Sequence, residues 1–456
     1  MKLSHLLATS AIALSLVAGS AYAQPNNTVF IEQDSNGNTA TVTQNATSAG
    51  TGNSVGTAST SFYQQGSGSN TLTVDQEGSN GTVSGWPTGS FASGDLYGVQ
   101  RGSGNQATIN QGIGAGQGID GSSDNGDVAN VSQYGTNGKL TITQVNGGGS
   151  GTGGNGNGNL TANVDQTSTA NTETATIYQD GNDYADFDPN ESPTTATIIQ
   201  SGSNEHATIN QNNAEMTATI TQSGSLNTGE IDQGLVAGAP AGGDEDFATI
   251  SQAGTGASAQ ITQNGGDNNV ASISQDSLVS AGTSATIKQS GGVDLATITQ
   301  SGADPVDGDG GASTATITQT SVSDTASITQ DAESTASITQ GGSGGHQAYI
   351  TSGDEDTATI TQNGFGNIAT ISQTLTGGEG NTATVDQEGT LGTATITQGG
   401  GFNTASITQE ASSTNAVATI LQPGSGNGAS IDQSGATNVA WVNQPGSSNH
   451  VTITQH

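Results

Sequence analysis

Over most of the chain, apolar and polar residues alternate with a period of two in short runs of five or six residues. Ala40-Thr41-Val42-Thr43-Gln44, Ala369-Thr370-Ile371-Ser372-Gln373 and Val451-Thr452-Ile453-Thr454-Gln455 are three of many copies. In each run the small or β-branched apolar residues and the closing Gln fall on one face of a strand, with Thr or Ser on the other. Ahead of the run stands a segment rich in Gly and Asn, such as Gln362-Asn363-Gly364-Phe365-Gly366-Asn367, whose residues accept positive φ and reverse the chain. No stretch sustains apolar residues at i, i+3, i+4 and i+7, so the pattern predicts strands and turns without helix.

Counting the copy from His346 to Ser352, in which Ser stands for the closing Gln, gives 32 closing positions. Two strands per turn of chain then make about 16 rungs. The expected fold is all-β: a β-solenoid of stacked strand-turn-strand rungs over residues 24–456, carrying Gly/Ser/Asp-rich loop insertions. The glutamines come first as pairs eleven residues apart, and the loops shorten from about Gln200 onward. Spacing alone leaves open which half-rungs pair in the C-terminal half.

Two inward Ile and two inward Ala bury too little surface to offset the ordering of about 22 residues, so a rung is stable only when stacked. The polar residues on the inner face suit stacking. A Gln lying on another Gln every ~4.8 Å donates to one neighbour and accepts from the other. The ladder positions expected in the N-terminal part are Gln33, Gln44, Gln65, Gln76, Gln100 and Gln111. In the C-terminal part they are Gln362, Gln373, Gln398, Gln409, Gln422, Gln433, Gln444 and Gln455. The turn asparagines Asn38, Asn70, Asn105, Asn367, Asn403, Asn427, Asn438 and Asn449 are expected to ladder in the same way. The final strand, Val451 to Gln455, shows no polar capping unit, so an open sheet edge is expected there.

Composition changes the picture in two ways. Apolar residues make up only 30% of the 456, with 70 Gly and 9% charged residues, a content that stays disordered unless repetition supplies the core. The charge is lopsided: Arg101, Lys139 and Lys288 face 39 acids in the body, a net charge of −36 once Lys2 leaves with the leader. Such a polyanion is not expected to bind nucleic acid or insert into a membrane. Residues 1–23 read as a Sec signal peptide, with Lys2, an apolar run from Leu6 to Ala18 and Ala21-Tyr22-Ala23 before Gln24. The mature protein is therefore expected to be exported. There is no cysteine, which removes disulfides and thiol chemistry.

Candidate chemistry is sparse, and no catalytic residue, metal site or cofactor is expected. Gly149-Ser150-Gly151-Thr152-Gly153-Gly154 fits a dinucleotide-binding pattern, but no strand feeds it and no helix follows, so it reads as a Gly-rich loop. His206, His346, His450 and His456 are scattered without ligand spacing and read as surface or turn residues. Acidic loops at Asp180–Asp188, Asp244–Asp246, Asp304–Asp309 and Asp354–Asp356 read as solvated gatekeepers, with Ca²⁺ binding as the alternative. Outward Asp75, Asp165, Asp232, Asp386 and Asp432 read as charges limiting lateral sheet association.

The frame Gln-x-Gly-x-Gly-Asn-x-Ala-x-x-x-Gln, complete at Gln100–Gln111, Gln362–Gln373 and Gln422–Gln433, resembles the curlin repeat of curli fibre subunits. Close variants run from Gln33 to Gln44 and from Gln444 to Gln455. The chain departs from that family in having many more repeats and in placing Asp356 where the family has a Ser before Gln362. Only Gln24 to Thr28 stand where the family carries a secretion-targeting segment. The resemblance implies a secreted structural subunit of functional amyloid at the cell surface, self-polymerising into biofilm matrix and mediating adhesion. Its partners would be copies of itself, a nucleator subunit and secretion accessory proteins. An alternative is a monomeric β-solenoid adhesin, or an ice-binding protein using outward pairs such as Thr41 and Thr43, Thr219 and Thr221, Thr297 and Thr299, or Thr395 and Thr397.

Overall fold

A computed structural model of the chain describes residues 28–33, 37–45, 53–55, 62–77, 82–84, 99–112, 128–145, 160–166, 172–180, 194–212, 216–234, 245–266, 268–277, 282–301, 312–331, 333–373 and 380–456. The expected signal peptide, the Gly149–Gly154 loop and the acidic positions Asp183, Asp186, Asp188, Asp244, Asp304, Asp307 and Asp309 lie outside the described residues. Those described form strands and turns, with no helix among them. The chain divides into two compact units, residues 1–226 with 233–244, and residues 227–232 with 245–456.

In both units every strand pairing among the described residues is parallel, and consecutive strands alternate between two sheets. Like stands on like. In the N-terminal unit Ala175, Ile177 and Gln179 lie in register with Ala207, Ile209 and Gln211. In the C-terminal unit Ala315, Ile317 and Gln319 lie on Ala336, Ile338 and Gln340, which lie in turn on Ala358, Ile360 and Gln362. The inward alternation explains the register: a one-residue slip would carry every Ile and Ala out of the core. Ile317, Ile338 and Ile360 are fully buried between the sheets, and Thr316, Ser337 and Thr359 face outward.

The corners are as regular as the strands. Two residues before most strands the backbone takes positive φ, at Gly104, Asn137, Asn204, Val293, Gly366 and Leu391 among others. This reverses the chain and delivers the next residue, usually polar, into the interior. Gly364 meets a stricter demand: at φ +91 a Cβ would sit 2.0 Å from the carbonyl oxygen of Gly389 in the next rung.

The expected β-solenoid with about 16 rungs is the observed architecture. One series of strands has 16 members and the other 19. The surplus arises because three early strands are split: Thr28–Val29 from Ile31–Gln33, Ser54–Val55 from Phe62–Gly68, and Thr82–Ser84 from Val99–Ser103. Each split half keeps its own register, Val55 on Val83 and Gln64 on Gln100. Some insertions thus interrupt a strand rather than join two, which spacing did not reveal. The half-rung pairing is also settled. Strands ending at Ser352, Gln373 and Gln398 share one sheet, and those ending at Gln362, Gln387 and Gln409 the other. Gln362 and Gln373 therefore close successive strands on opposite sheets.

Candidate functional site: the inward polar ladders

The residue type that cannot be buried cheaply is the one most fully buried. Almost every inward Gln followed by a Gln in the next rung gives it one amide hydrogen. In one sheet Gln340, Gln362, Gln387, Gln409 and Gln433 donate in sequence at 3.0, 2.9, 2.8, 3.0 and 2.8 Å, ending on Gln455. In the other, Gln373 donates to Gln398 (3.0 Å), Gln398 to Gln422 (3.0 Å) and Gln422 to Gln444 (2.8 Å). The N-terminal unit has the same ladders: Gln44 to Gln76, Gln76 to Gln111, and Gln64 through Gln100 to Gln133, all between 2.7 and 2.8 Å.

The second amide hydrogen was not foreseen. It crosses the core to the carbonyl of the residue opening a strand in the opposite sheet, as from Gln373 to Thr357 (3.1 Å), Gln362 to Gln347 (3.0 Å) and Gln398 to Thr382 (3.1 Å). One amide therefore ties two rungs along the axis and two sheets across it. This arrangement satisfies polar groups whose burial alone would be costly.

One expected ladder residue is corrected. Gln65 is not the member of the second rung: Phe62 and Gln64 are the inward, fully buried residues, and Gln33 donates to Gln64 (2.6 Å). The split strand sets this phase, placing Gln64 between Gln33 and Gln100 and Gln65 beside Arg101. The Ser352 copy leaves a measurable defect. Its hydroxyl donates to Gln373 Oε1 (3.0 Å) but is too short to meet the rung before it, so Gln330 Nε2 is buried without a partner.

The turn asparagines work differently from the glutamines. The side-chain oxygen of each accepts the backbone N–H of the corresponding residue in the next rung: Asn38 from Asn70 (3.2 Å), Asn70 from Asn105 (3.1 Å), Asn403 from Asn427 (2.9 Å) and Asn427 from Asn449 (2.9 Å). Asn367 accepts from Gly392 N (2.8 Å) and its amide donates to Gly389 O (2.9 Å). Asn438 does not continue a column. Its amide donates within its own turn to Ser434 O (3.1 Å), and the corresponding residue one rung back is Ala416, which has no side-chain acceptor.

Sequence reasoning missed that acids occupy this same column. Glu173, Glu205, Asp246, Asp294, Asp324 and Asp356 are all buried, so Asp246 and Asp356 are not solvated loop charges. The oxygens of Asp246, Asp294, Asp324 and Asp356 accept the next rung's N–H at 2.8–2.9 Å, as Asn does. Burial raises the Asp294 carboxyl to about 7 and that of Asp356 to about 6, against the backbone N–H donors that lower them. The signal was present: Asp356-Thr357-Ala358-Thr359 aligns with Asn381-Thr382-Ala383-Thr384. His346 is another member of the column and not a surface residue. Nδ1 accepts from Asn367 N and Nε2 donates to Gly341 O (2.8 Å).

On the outside, the Thr pairs lie on the solvent faces, half-buried or exposed; Thr219, Thr297 and Thr395 belong to one sheet, and in the other the outward rows are broken by Lys288, Asp386 and Asp432. Asp165 is raised to about 6 by burial, despite a hydrogen bond from Ser132. Among the described residues no group of three His, Cys, Asp or Glu could hold a metal ion.

Uniform parallel rungs with inward amide columns define a structural repeat protein. Residues 353–389 and 424–456 match the Curlin associated repeat family, so these two segments carry curlin-type repeats. Both matched segments lie in the C-terminal unit, where the frame is most regular. No curated protein matches the chain.

Proposed function

We propose that the protein is a secreted structural subunit of a curli-type amyloid fibre, growing by addition of rung upon rung. The observation that carries this is the strand His450–Gln455. Among the described residues it pairs on one side only, with Gly428–Gln433, and it leaves Val451 and Ile453 half-exposed where Ala429 and Ile431 are buried. A strand of the same pattern laid on that edge would bury both side chains, extend the backbone ladder and take an N–H from Gln455. This is β-addition by main-chain bonds with amide ladders giving register. Such fibres at the cell surface would serve as biofilm matrix and adhesive, with copies of the chain as principal partners and a nucleator subunit and secretion accessory proteins assisting.

The charge governs the rate. At a sequence pI near 4.1 the self-repulsion of a chain carrying a net −35 disappears, so assembly is expected to accelerate from pH 8 to pH 4. The mature protein at micromolar concentration is expected to form thioflavin-positive fibres with cross-β diffraction. A stable monomer by light scattering would overturn the proposal, and thermal hysteresis in that monomer would point to the outward threonines. Fibre growth indifferent to pH over that range would overturn the charge mechanism alone.

A further inference from the structure

The two sheets of the C-terminal unit present different faces to solvent. One sheet contains the strands Phe247–Thr255, Val270–Ser277, Leu295–Ser301, Thr325–Gln330, Gln347–Ser352, Ile368–Gln373, Thr393–Gln398, Val417–Gln422 and Val439–Asn443. Their outward first positions include Phe247, Val270, Leu295, Ile368, Val417 and Val439, each between 38% and 67% exposed. The first three lie in register on one another, as do Val417 and Val439. The third position adds Tyr349 and Trp441, at 38% and 63%. The corner that leads into these strands adds Val293, Val322, Phe365 and Leu391. Val293 and Leu391 are held at φ 60 and 55, where equivalent rungs use Asn268, Gly366 or Asn415. Large apolar side chains thus stand in a conformation that favours Gly and Asn, pointing into solvent.

The first, third and fifth positions of these nine strands carry no charged side chain, in a chain of net charge −35. The opposite sheet has no comparable apolar column and bears Lys288, Asp386 and Asp432 on its outer face.

We infer that the apolar face of the C-terminal unit docks on the same face of a second copy of this chain, giving a laterally paired solenoid. Three observations select that occupant. Each of the nine rungs puts at least one large apolar side chain on this face or its corner, so the partner that meets them along its length must share the rung spacing. A polyanion meets its own copy with least repulsion through the face whose first, third and fifth strand positions carry no charge, Asp276 lying at its margin. Nine strands at ~4.8 Å and six residues at ~3.3 Å give about 850 Å² per copy, or about 1,700 Å² in total, the size of a standard specific interface. This pairing is perpendicular to rung-on-rung growth and does not require it.

The test uses the mature full chain and two double variants placed alike on the two faces. Thr370→Glu with Thr395→Glu charges the apolar face; Thr359→Glu with Thr384→Glu charges the other. Mass per length of fibres is measured by dark-field electron microscopy, and the soluble protein is followed by sedimentation velocity. The wild type and the second variant are expected to have twice the mass per length of the first, and a soluble dimer that the first variant lacks. Leu295→Ser with Phe247→Ser, which adds no charge, is expected to weaken the dimer in the same direction. Single-solenoid fibres with a monomeric wild type would overturn the inference, as would equal effects of the two charged variants. A wild-type monomer captured on octyl resin through the apolar face would assign that face to a non-protein surface and overturn it too. If fibres never form but the dimer does, rung-on-rung growth fails and lateral pairing stands.

Discussion

The N-terminal unit takes 31–36 residues to climb one rung over most of its length, as from Gln64 to Gln100 or Gln144 to Gln179; the C-terminal unit takes 21–30, as from Gln319 to Gln340. The ladder distances hardly differ, 2.6–3.0 Å in the first and 2.8–3.1 Å in the second. Extra chain between the described strands therefore leaves the ladder spacing unchanged. The units differ more at the surface and corners. In the N-terminal unit the exposed large apolar residues among those described are Tyr178 and Leu226, whereas the C-terminal unit gathers a whole face of them. What is shared is the inward code of Ala, Ile or Val and Gln; what varies is everything the code leaves outside.

The largest expected effect tests whether the inward code is equivalent in the two units. Gln319→Leu removes one partner each from Gln289 Nε2, Gln340 Oε1 and the carbonyl of Leu295, and Gln144→Leu does the same to Gln111 Nε2, Gln179 Oε1 and the carbonyl of Val128, while the Leu160 carbonyl keeps the Val128 N–H. Each should cost about 3–9 kcal/mol in urea unfolding of the soluble chain, at about 1–3 kcal/mol for each of three buried groups that lose a partner. A loss at Gln144 less than half that at Gln319 would show that the long-looped rungs depend on something other than their amides.

A gain should follow from repairing the one ladder defect in the regular unit. Ser352→Gln restores an acceptor for Gln330 Nε2 and keeps a donor to Gln373 Oε1. The expected stabilisation is about 1–3 kcal/mol, read as a raised urea midpoint, and the same change should speed fibre elongation. No gain would mean that the short serine rung has relaxed to satisfy Gln330 some other way.

The buried acids of the C-terminal column should show in the pH dependence of stability. Asp294 and Asp356, raised to about 7 and about 6 from 3.8, keep their protons in the fold at pH values where the unfolded chain has lost them. The folded state then binds more protons than the unfolded one between about pH 4 and 7, so stability rises as pH falls through that window and levels off below it. A neutral carboxyl offers an O–H where Asn offers an N–H. Asp294→Asn with Asp356→Asn should flatten this dependence without lowering stability at pH 5. The effect should be smaller than that of the amide ladder, because the backbone N–H groups that bond these carboxyls offset part of the cost of burying them. A pH profile unchanged in the double variant would leave net self-repulsion as the whole cause.

How far the sequence carried depends on what each residue's position requires. Ile317 and Gln319 were legible because alternation and repetition point the same way. Gln65 misled because a split strand shifts the phase by one, and a shift of one exchanges inside for outside. Asp356 was misjudged because charge in a Gly-rich turn suggests solvent, although its place in the frame is that of Asn381. The apolar face could not be read at all. Phe247, Val270 and Leu295 are 23 and 25 residues apart, and only the pairing of alternate strands makes them neighbours.

The smallest expected effect bears on the loops themselves. Residues 113–127 separate the strands Gln106–Gly112 and Val128–Thr136. Replacing them with a short turn of the Gly364–Asn367 type would cut that rung from 33 residues, the span from Gln111 to Gln144, to about 22. Closure entropy grows only as the logarithm of length, so the change should stabilise by about 0.4 kcal/mol. Such a value, a barely measurable shift in urea midpoint, would mean that long rungs cost the N-terminal unit almost nothing and that insertions there are free to vary. A destabilisation above about 1 kcal/mol, larger than closure entropy can account for, would show that the insertion itself holds the unit together.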